Sequence, residues 1–166
     1  DLFTIGTIAR IERLLKSDGE INALVKGVQR VEILSYQSSD PYFIAKGIEI
    51  PDEDIRTDEI TALVNHITTE LKRAVNLGKS VDFLSFMNIM SGLTPSEFSN
   101  HVAAVLYIKP AEKQLLLETR NVIDPLARIS EYLSHETKYW KSKEKSPVKP
   151  RKNSIKASRK QYCANA

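Results

Sequence analysis

Over the first fifty residues the apolar positions alternate with polar ones. Phe3, Ile5, Thr7, Ala9 and Ile11 share one face at a period of two, and Ile21, Ala23 and Val25, then Val31, Ile33 and Ser35, repeat the pattern. Ser17-Asp18-Gly19-Glu20 supplies turn chemistry between the first two runs, so two strands are expected to fold back on each other. Ser38-Ser39-Asp40-Pro41 predicts a second turn. Residues 42–45 and 48–50 then read as a strand pair interrupted at Gly47, and Pro51-Asp52-Glu53-Asp54 as an acidic linker.

From Thr57 the period changes to about 3.6. Ile60, Leu63, Val64, Ile67, Leu71 and Val75 form an apolar stripe that Gly78 ends. Val81, Leu84, Phe86, Met87 and Met90 predict a shorter second helix. Thr94-Pro95-Ser96-Glu97 opens a third with Thr as N-cap and Glu as the reciprocal cap. Lys109-Pro110 opens a fourth, and Asn121 caps a fifth that carries Leu126, Ile129, Tyr132 and Leu133, with Pro125 in its first turn. Strands first and helices after predict an α+β plan with separated layers. The boundaries expected are an incomplete β subdomain at 1–52, a helical subdomain at 53–139 and a disordered basic tail at 140–166.

Charge divides the chain at the same place. Residues 138–166 carry ten Lys or Arg against one acid, while the preceding 137 residues carry fourteen bases against twenty acids, so the net +3 describes neither part. The tail predicts weak, non-specific binding to polyanions, and Ser146-Pro147 within it fits a proline-directed phosphorylation site. No run approaches a membrane span and no leader opens the chain, whose first residue is Asp. Cys163 is the one cysteine, which fits a reducing compartment; the expectation is a cytoplasmic chain, without a membrane partner, that is a fragment of something longer.

Two strand motifs are more specific than periodicity. The run Asp1-Leu-Phe-Thr-Ile-Gly-Thr-Ile-Ala and the later Leu24-Val-Lys-Gly-Val-Gln-Arg closely resemble the D-L-[FY]-x-[VI]-G-T-[VI]-A and L-V-x-G-x-x-R strands of the N-terminal, substrate-recognising domain of the Lon family of ATP-dependent proteases. Lys113-Gln-Leu-Leu-Leu-Glu118 looks like that family's K-Q-x-L-L-E segment, and residues 121–133 look like the helix after it, although Pro125 departs from the usual choice. The resemblance covers residues 1–137. It implies a partial β-barrel-like (pseudouridine-synthase/archaeosine-transglycosylase-like) subdomain followed by an α-helical bundle. The family's opening P-L-R-D-x-x-x-F-P-G-like strands have no counterpart before Asp1, so exposed sheet edges are expected. After Glu136 the family's L-x-x-E-x-K-I helix gives way to Tyr139-Trp-Lys-Ser-Lys-Glu-Lys-Ser. Codons for that run, read in another frame, can encode Leu-Glu-Val-Glu-Arg-Lys-Ile, which makes a frameshift one reading of the tail and an authentic basic arm the other.

Candidate chemistry is sparse. Gly78-Lys79-Ser80 resembles the end of a phosphate-binding loop, but Arg73 stands where that motif needs Gly and a helix precedes it. His66, His101 and His135 have neither an i,i+4 partner nor a paired Cys, so no metal site is specified. No serine carries a nucleophile signature, and no catalytic residue is assigned. Phe83, Phe86, Met87 and Met90 fit a core-facing helix, and their clustering also makes them candidates for a soft peptide-binding surface. The resemblance implies a non-catalytic domain that binds unfolded, damaged or degron-bearing proteins and helps arrange a hexamer. It also implies that ATP, Mg and the serine-lysine pair belong to other domains of the parent, leaving no cofactor here. The alternatives are a nucleic-acid-binding module using the basic tail and a stand-alone Lon-domain protein.

Overall fold

The computed structural model describes residues 2–17, 19–52 and 55–144. Three strands, β1 (Ile5–Ser17), β2 (Glu20–Ser38) and β3 (Ile44–Ile50), precede five helices, α1 (Asp58–Asn76), α2 (Phe83–Met90), α3 (Pro95–Val105), α4 (Pro110–Glu118) and α5 (Ile123–Glu144). The expected tail lies outside the described residues from position 145 onward, and so do Ser146, Pro147 and Cys163.

The strands form one antiparallel sheet in the order β1-β2-β3. Ile5 pairs with Glu32 at one end and Ser17 with Glu20 at the other; register shifts fall between Ile8 and Ala9 and between Ile11 and Arg13. The first leaves Val28 of β2 unpaired and the second Glu12 of β1, and an extra residue flips the face that later side chains of its strand occupy. Simple alternation therefore does not run the length of either strand. Gly47 does not interrupt a strand pair as its sequence context suggested: β3 runs continuously through it, opposite Ile33. A Cβ there would sit 2.7 Å from the Glu32 carbonyl oxygen and from Val31 Cγ2, so the position requires glycine for close approach of β2.

The sheet is open and holds little core. Among the described strand residues Ile50 is the buried hydrophobic, whereas Ile11, Leu14, Leu15, Ile21, Leu24 and Val25 are all more than half exposed. The sheet meets the helices at one end, through polar contacts. The Arg30 guanidinium donates to Asp52 and to the carbonyls of Leu117 (3.3 Å) and Thr119 (2.9 Å) at the C-terminal end of α4. Gln114 Nε2 donates to the Ile5 carbonyl (2.9 Å), and Arg120 pairs with Glu32 (3.0 Å).

The core belongs to the helices. Ile60, Ile67 and Leu71 of α1 face Leu126, Ile129 and Leu133 of α5, with Phe98 and Val102 of α3 completing the cluster. These are the i, i+4, i+7 positions that the periodicity selects. Thr57 caps α1 by accepting the Ile60 N–H (3.2 Å). The Thr94–Glu97 capping box is present on α3, and Asn121 accepts the Ile123 N–H (2.9 Å) at the start of α5. The helical part does not end at residue 139: α5 continues to Glu144. Lys143 lies over the Tyr139 and Trp140 rings, and Trp140 packs beside Gly78, which supports the extra turn. Among the described residues no helix is long and apolar enough to cross a membrane.

Candidate functional site

The end of α1 sets up the most unusual side chain in the molecule. Gly78 takes a left-handed φ of +102°. Its N–H donates to Val75 and the Lys79 N–H to Ala74 (both 3.0 Å), the paired bonds of a Schellman stop. That reversal turns Lys79 inward, and its side chain is fully buried. Lys79 Nζ pairs with Glu136 Oε2 of α5 and sits 4.0 Å from the centroid of the Tyr107 ring. The other carboxylate oxygen of Glu136 accepts the Tyr107 N–H (2.7 Å), and the Tyr107 hydroxyl donates to the Ser80 carbonyl (3.4 Å). Tyr107 is thus tied to α5 and to the connection between α1 and α2, and the residue is nonetheless 67 % exposed.

Between this tyrosine and α2 lies a cleft of about 490 Å³, lined by Ser80, Val81, Asp82 and Ser85 on one wall and residues 104–108 with Lys113 on the other. Asp82 caps α2 by accepting the Ser85 N–H (2.9 Å), and its hydrogen bonds to Ser85 hold its carboxyl below the usual value of 3.8, so the group is ionised at neutral pH. A smaller cleft of about 320 Å³ lies behind α2, where Met90, Leu93 and Phe98 face Val64, Thr68 and Lys72.

The four candidate peptide-binding residues separate onto two faces of α2. Phe83 and Met87 point out with Leu84, at 74 %, 49 % and 73 % exposure. Phe86 is half-buried, and Met90 packs against the helical core. Sequence reasoning missed Leu84 as a surface residue, missed the roles of Tyr107 and Glu136, and weighed Lys79 only as part of a phosphate-loop-like run. The motif-like Lys79 is a buried ion-pair partner. The three histidines are exposed, and among the described residues no group of three His, Cys, Asp or Glu is placed to hold a metal.

A family model for the ATP-dependent protease La (LON) substrate-binding domain matches residues 1–135. The chain belongs to this Lon family. It is 28% identical over 163 residues to the Lon protease of Heliobacterium modesticaldum, covering 98% of this chain and 20% of that protein. It is 30% identical over 140 residues to the Lon protease of Lawsonia intracellularis, covering 82% and 17%. The first alignment continues past residue 137, where the Lon motifs in the sequence stop. The chain therefore spans about a fifth of the length of the curated Lon relatives it matches, and the part it matches is the substrate-binding domain. Among solved structures it resembles the N-terminal domain of the Mycobacterium avium complex Lon protease, with a TM-score of 0.65 and 25% identity over 79% of this chain and 70% of that one.

Proposed function

We propose that this chain is the non-catalytic protein-substrate recognition part of a Lon-type ATP-dependent serine protease, binding unfolded, damaged or degron-bearing proteins for degradation. The match to a substrate-binding family over residues 1–135 carries the reading. The exposed apolar surface supports it physically, because a domain that holds unfolded polypeptide needs apolar surface open to it. Exposed apolar side chains are present on the outer face of α2, at Phe83, Leu84 and Met87, and along the hairpin, at Ile11, Leu14 and Leu15. On this reading the open sheet is a portion of a pseudouridine-synthase/archaeosine-transglycosylase-like barrel, and the sheet and helices are separate subdomains. The whole protein is a cytoplasmic hexamer, and ATP and Mg act in its other domains. The tail adds only weak polyanion binding.

The test is a pair of titrations of the purified chain, one with a labelled unfolded polypeptide and one with duplex DNA at rising salt. Saturable binding to the polypeptide, with DNA binding that falls steeply with salt, is expected. Salt-resistant DNA binding without polypeptide binding would replace the reading with a nucleic-acid module. Hydrolysis of ATP or casein that a substitution in this chain abolishes would end its non-catalytic assignment.

A further inference from the structure

We infer that Arg30 is the clamp of a polar joint between the sheet and the helices. It fixes the orientation of the sheet through the C-terminal end of α4, and without its guanidinium the sheet turns as a separate body.

Apolar burial does not set that orientation. The core cluster and the side chains packed on it all lie between Ile60 and Leu133, so among the described residues no strand side chain joins it. Hydrogen bonds from the sheet converge instead on α4 and the two residues after it. Gln114 Nε2 donates to the Ile5 carbonyl of β1 (2.9 Å), Arg120 meets Glu32 of β2 (3.0 Å), and Arg30 of β2 takes the end of the helix. Three separate runs of sequence meet here: Asp1–Ala9 through Ile5, Leu24–Arg30 through Arg30, and Lys113–Glu118 through Gln114 and Leu117.

Arg30 does most at this joint because of what α4 lacks. A helix leaves its last carbonyls without partners and its C-terminal end negative. α4 has no basic residue in its last turn and ends on Thr119, without the glycine stop that closes α1. The Thr119 hydroxyl donates to the Leu115 carbonyl (2.8 Å). The carbonyls of Leu117 (3.3 Å) and Thr119 (2.9 Å) accept from one amino group of Arg30, which thereby caps the helix from the neighbouring sheet. Nε (3.0 Å) and the second amino group of Arg30 donate to Asp52 Oδ1, just beyond the end of β3. The Arg30 side chain is 10 % exposed, so salt and water weaken these bonds little. Arg120 and Glu32 are 67 % and 41 % exposed, and a pair so open contributes little. The planar guanidinium fork reaches a carboxylate on one side and two carbonyls on the other, which the point charge of a lysine ammonium does not reproduce. Arg30 therefore holds β2, the end of β3 and α4 in one geometry.

Double electron–electron resonance on the full chain tests this, with Cys163→Ser removing the one native cysteine so that spin labels go only to introduced ones. All labelled positions are exposed. Ser35→Cys with Ala127→Cys spans the joint from β2 to α5, and Thr7→Cys with Lys46→Cys lies within the sheet, on β1 and β3. The parent should give a narrow distance distribution across the joint. Arg30→Lys, which keeps the charge and loses the fork, should broaden that distribution and leave the distance within the sheet unchanged. Arg120→Ala should match the parent on both pairs. A parent distribution that is already broad, or an Arg30→Lys distribution as narrow as the parent's, would overturn the clamp. So would equal broadening in Arg120→Ala and Arg30→Lys, which would make the joint a general ionic contact. Loss of the distance within the sheet in Arg30→Lys would overturn it too, because Arg30 would then serve the fold of the sheet itself.

Discussion

Replacing Glu136 with alanine should be among the most damaging single changes outside the apolar core. The carboxylate is 13 % exposed and the Lys79 side chain it pairs with is 0 % exposed. Its removal leaves a buried ammonium with the Tyr107 ring as its remaining partner, and leaves the Tyr107 N–H without its acceptor. Breaking a buried pair by deleting one member costs about 3–5 kcal/mol, of which the ring interaction already present offsets none. The orphaned N–H adds about 1 kcal/mol, and partial access of water to the site lowers the total, so a loss of about 3 kcal/mol is expected. Lys79→Met should cost less, about 1 kcal/mol, because Glu136 keeps the Tyr107 N–H and some solvent. Combining Lys79→Met with Glu136→Gln should be less harmful than Glu136→Ala alone, since no charge is then buried and an acceptor remains. Urea unfolding followed by the fluorescence of Trp140, the single tryptophan, reads the right region, because its ring lies beside Gly78. A Glu136→Ala loss under about 1 kcal/mol, additive with Lys79→Met, would refute the view that this pair joins α1, α5 and the α3–α4 connection.

Leu133→Ala should cost about 2–5 kcal/mol in the same assay because the side chain is fully buried, whereas Leu24→Ala, at 59 % exposure, should stay within about 0.5 kcal/mol. Equal losses would mean that the hairpin packs against something in solution. Thr94→Ala removes one half of the α3 capping box and should cost about 1 kcal/mol, while Thr94→Ser should restore most of it. The Asp82 carboxyl lies below its ordinary 3.8 in the folded chain, so the cap it makes on α2 is in place above that pH and is lost as the pH falls through the lower folded value. The Ser85 amide resonance should therefore be constant from neutral pH down to about 5, shift only in stronger acid, and lose that shift in Asp82→Asn; a midpoint above 3.8 would contradict the assignment.

The helices were legible because their signals are local. Thr94 caps α3 with Glu97 where the sequence places them, and Gly78 ends α1 through a left-handed turn that its type alone suggests; Asn121, expected as the cap of α5, sits one residue before that position and accepts the Ile123 N–H instead. The sheet was legible in its turns and pairing direction but not in its register: Gly27 lies beside the first shift, where Ile8 pairs with Gln29 and Ala9 with Gly27, but no residue type marks the second, between Ile11 and Arg13. Gly47 was misread for a related reason: glycine signals both a break and a close approach, and only the backbone of β2 distinguishes them. On α2 the apolar character of Phe83, Phe86, Met87 and Met90 was legible by type, but the exposure of Phe83 and Met87 and the packing of Phe86 and Met90 depend on which way the helix rolls against Phe98. Lys79 reads as a loop lysine, because its burial is decided by Glu136, which lies on α5 far along the chain. Tyr107 carries no local signal either; the acceptor of its N–H is that same distant carboxylate.

The role proposed for this Lon-family chain, recognition of unfolded polypeptide through surface it keeps exposed, has a direct test. One protein, presented to the chain in its folded form and again permanently unfolded by reduction and alkylation, tests this with sequence and charge nearly constant. Isothermal titration calorimetry should give saturable binding and a negative heat-capacity change for the unfolded form, the mark of buried apolar surface, and no binding for the folded form. Equal affinity for both forms, or binding without a heat-capacity change, would contradict it.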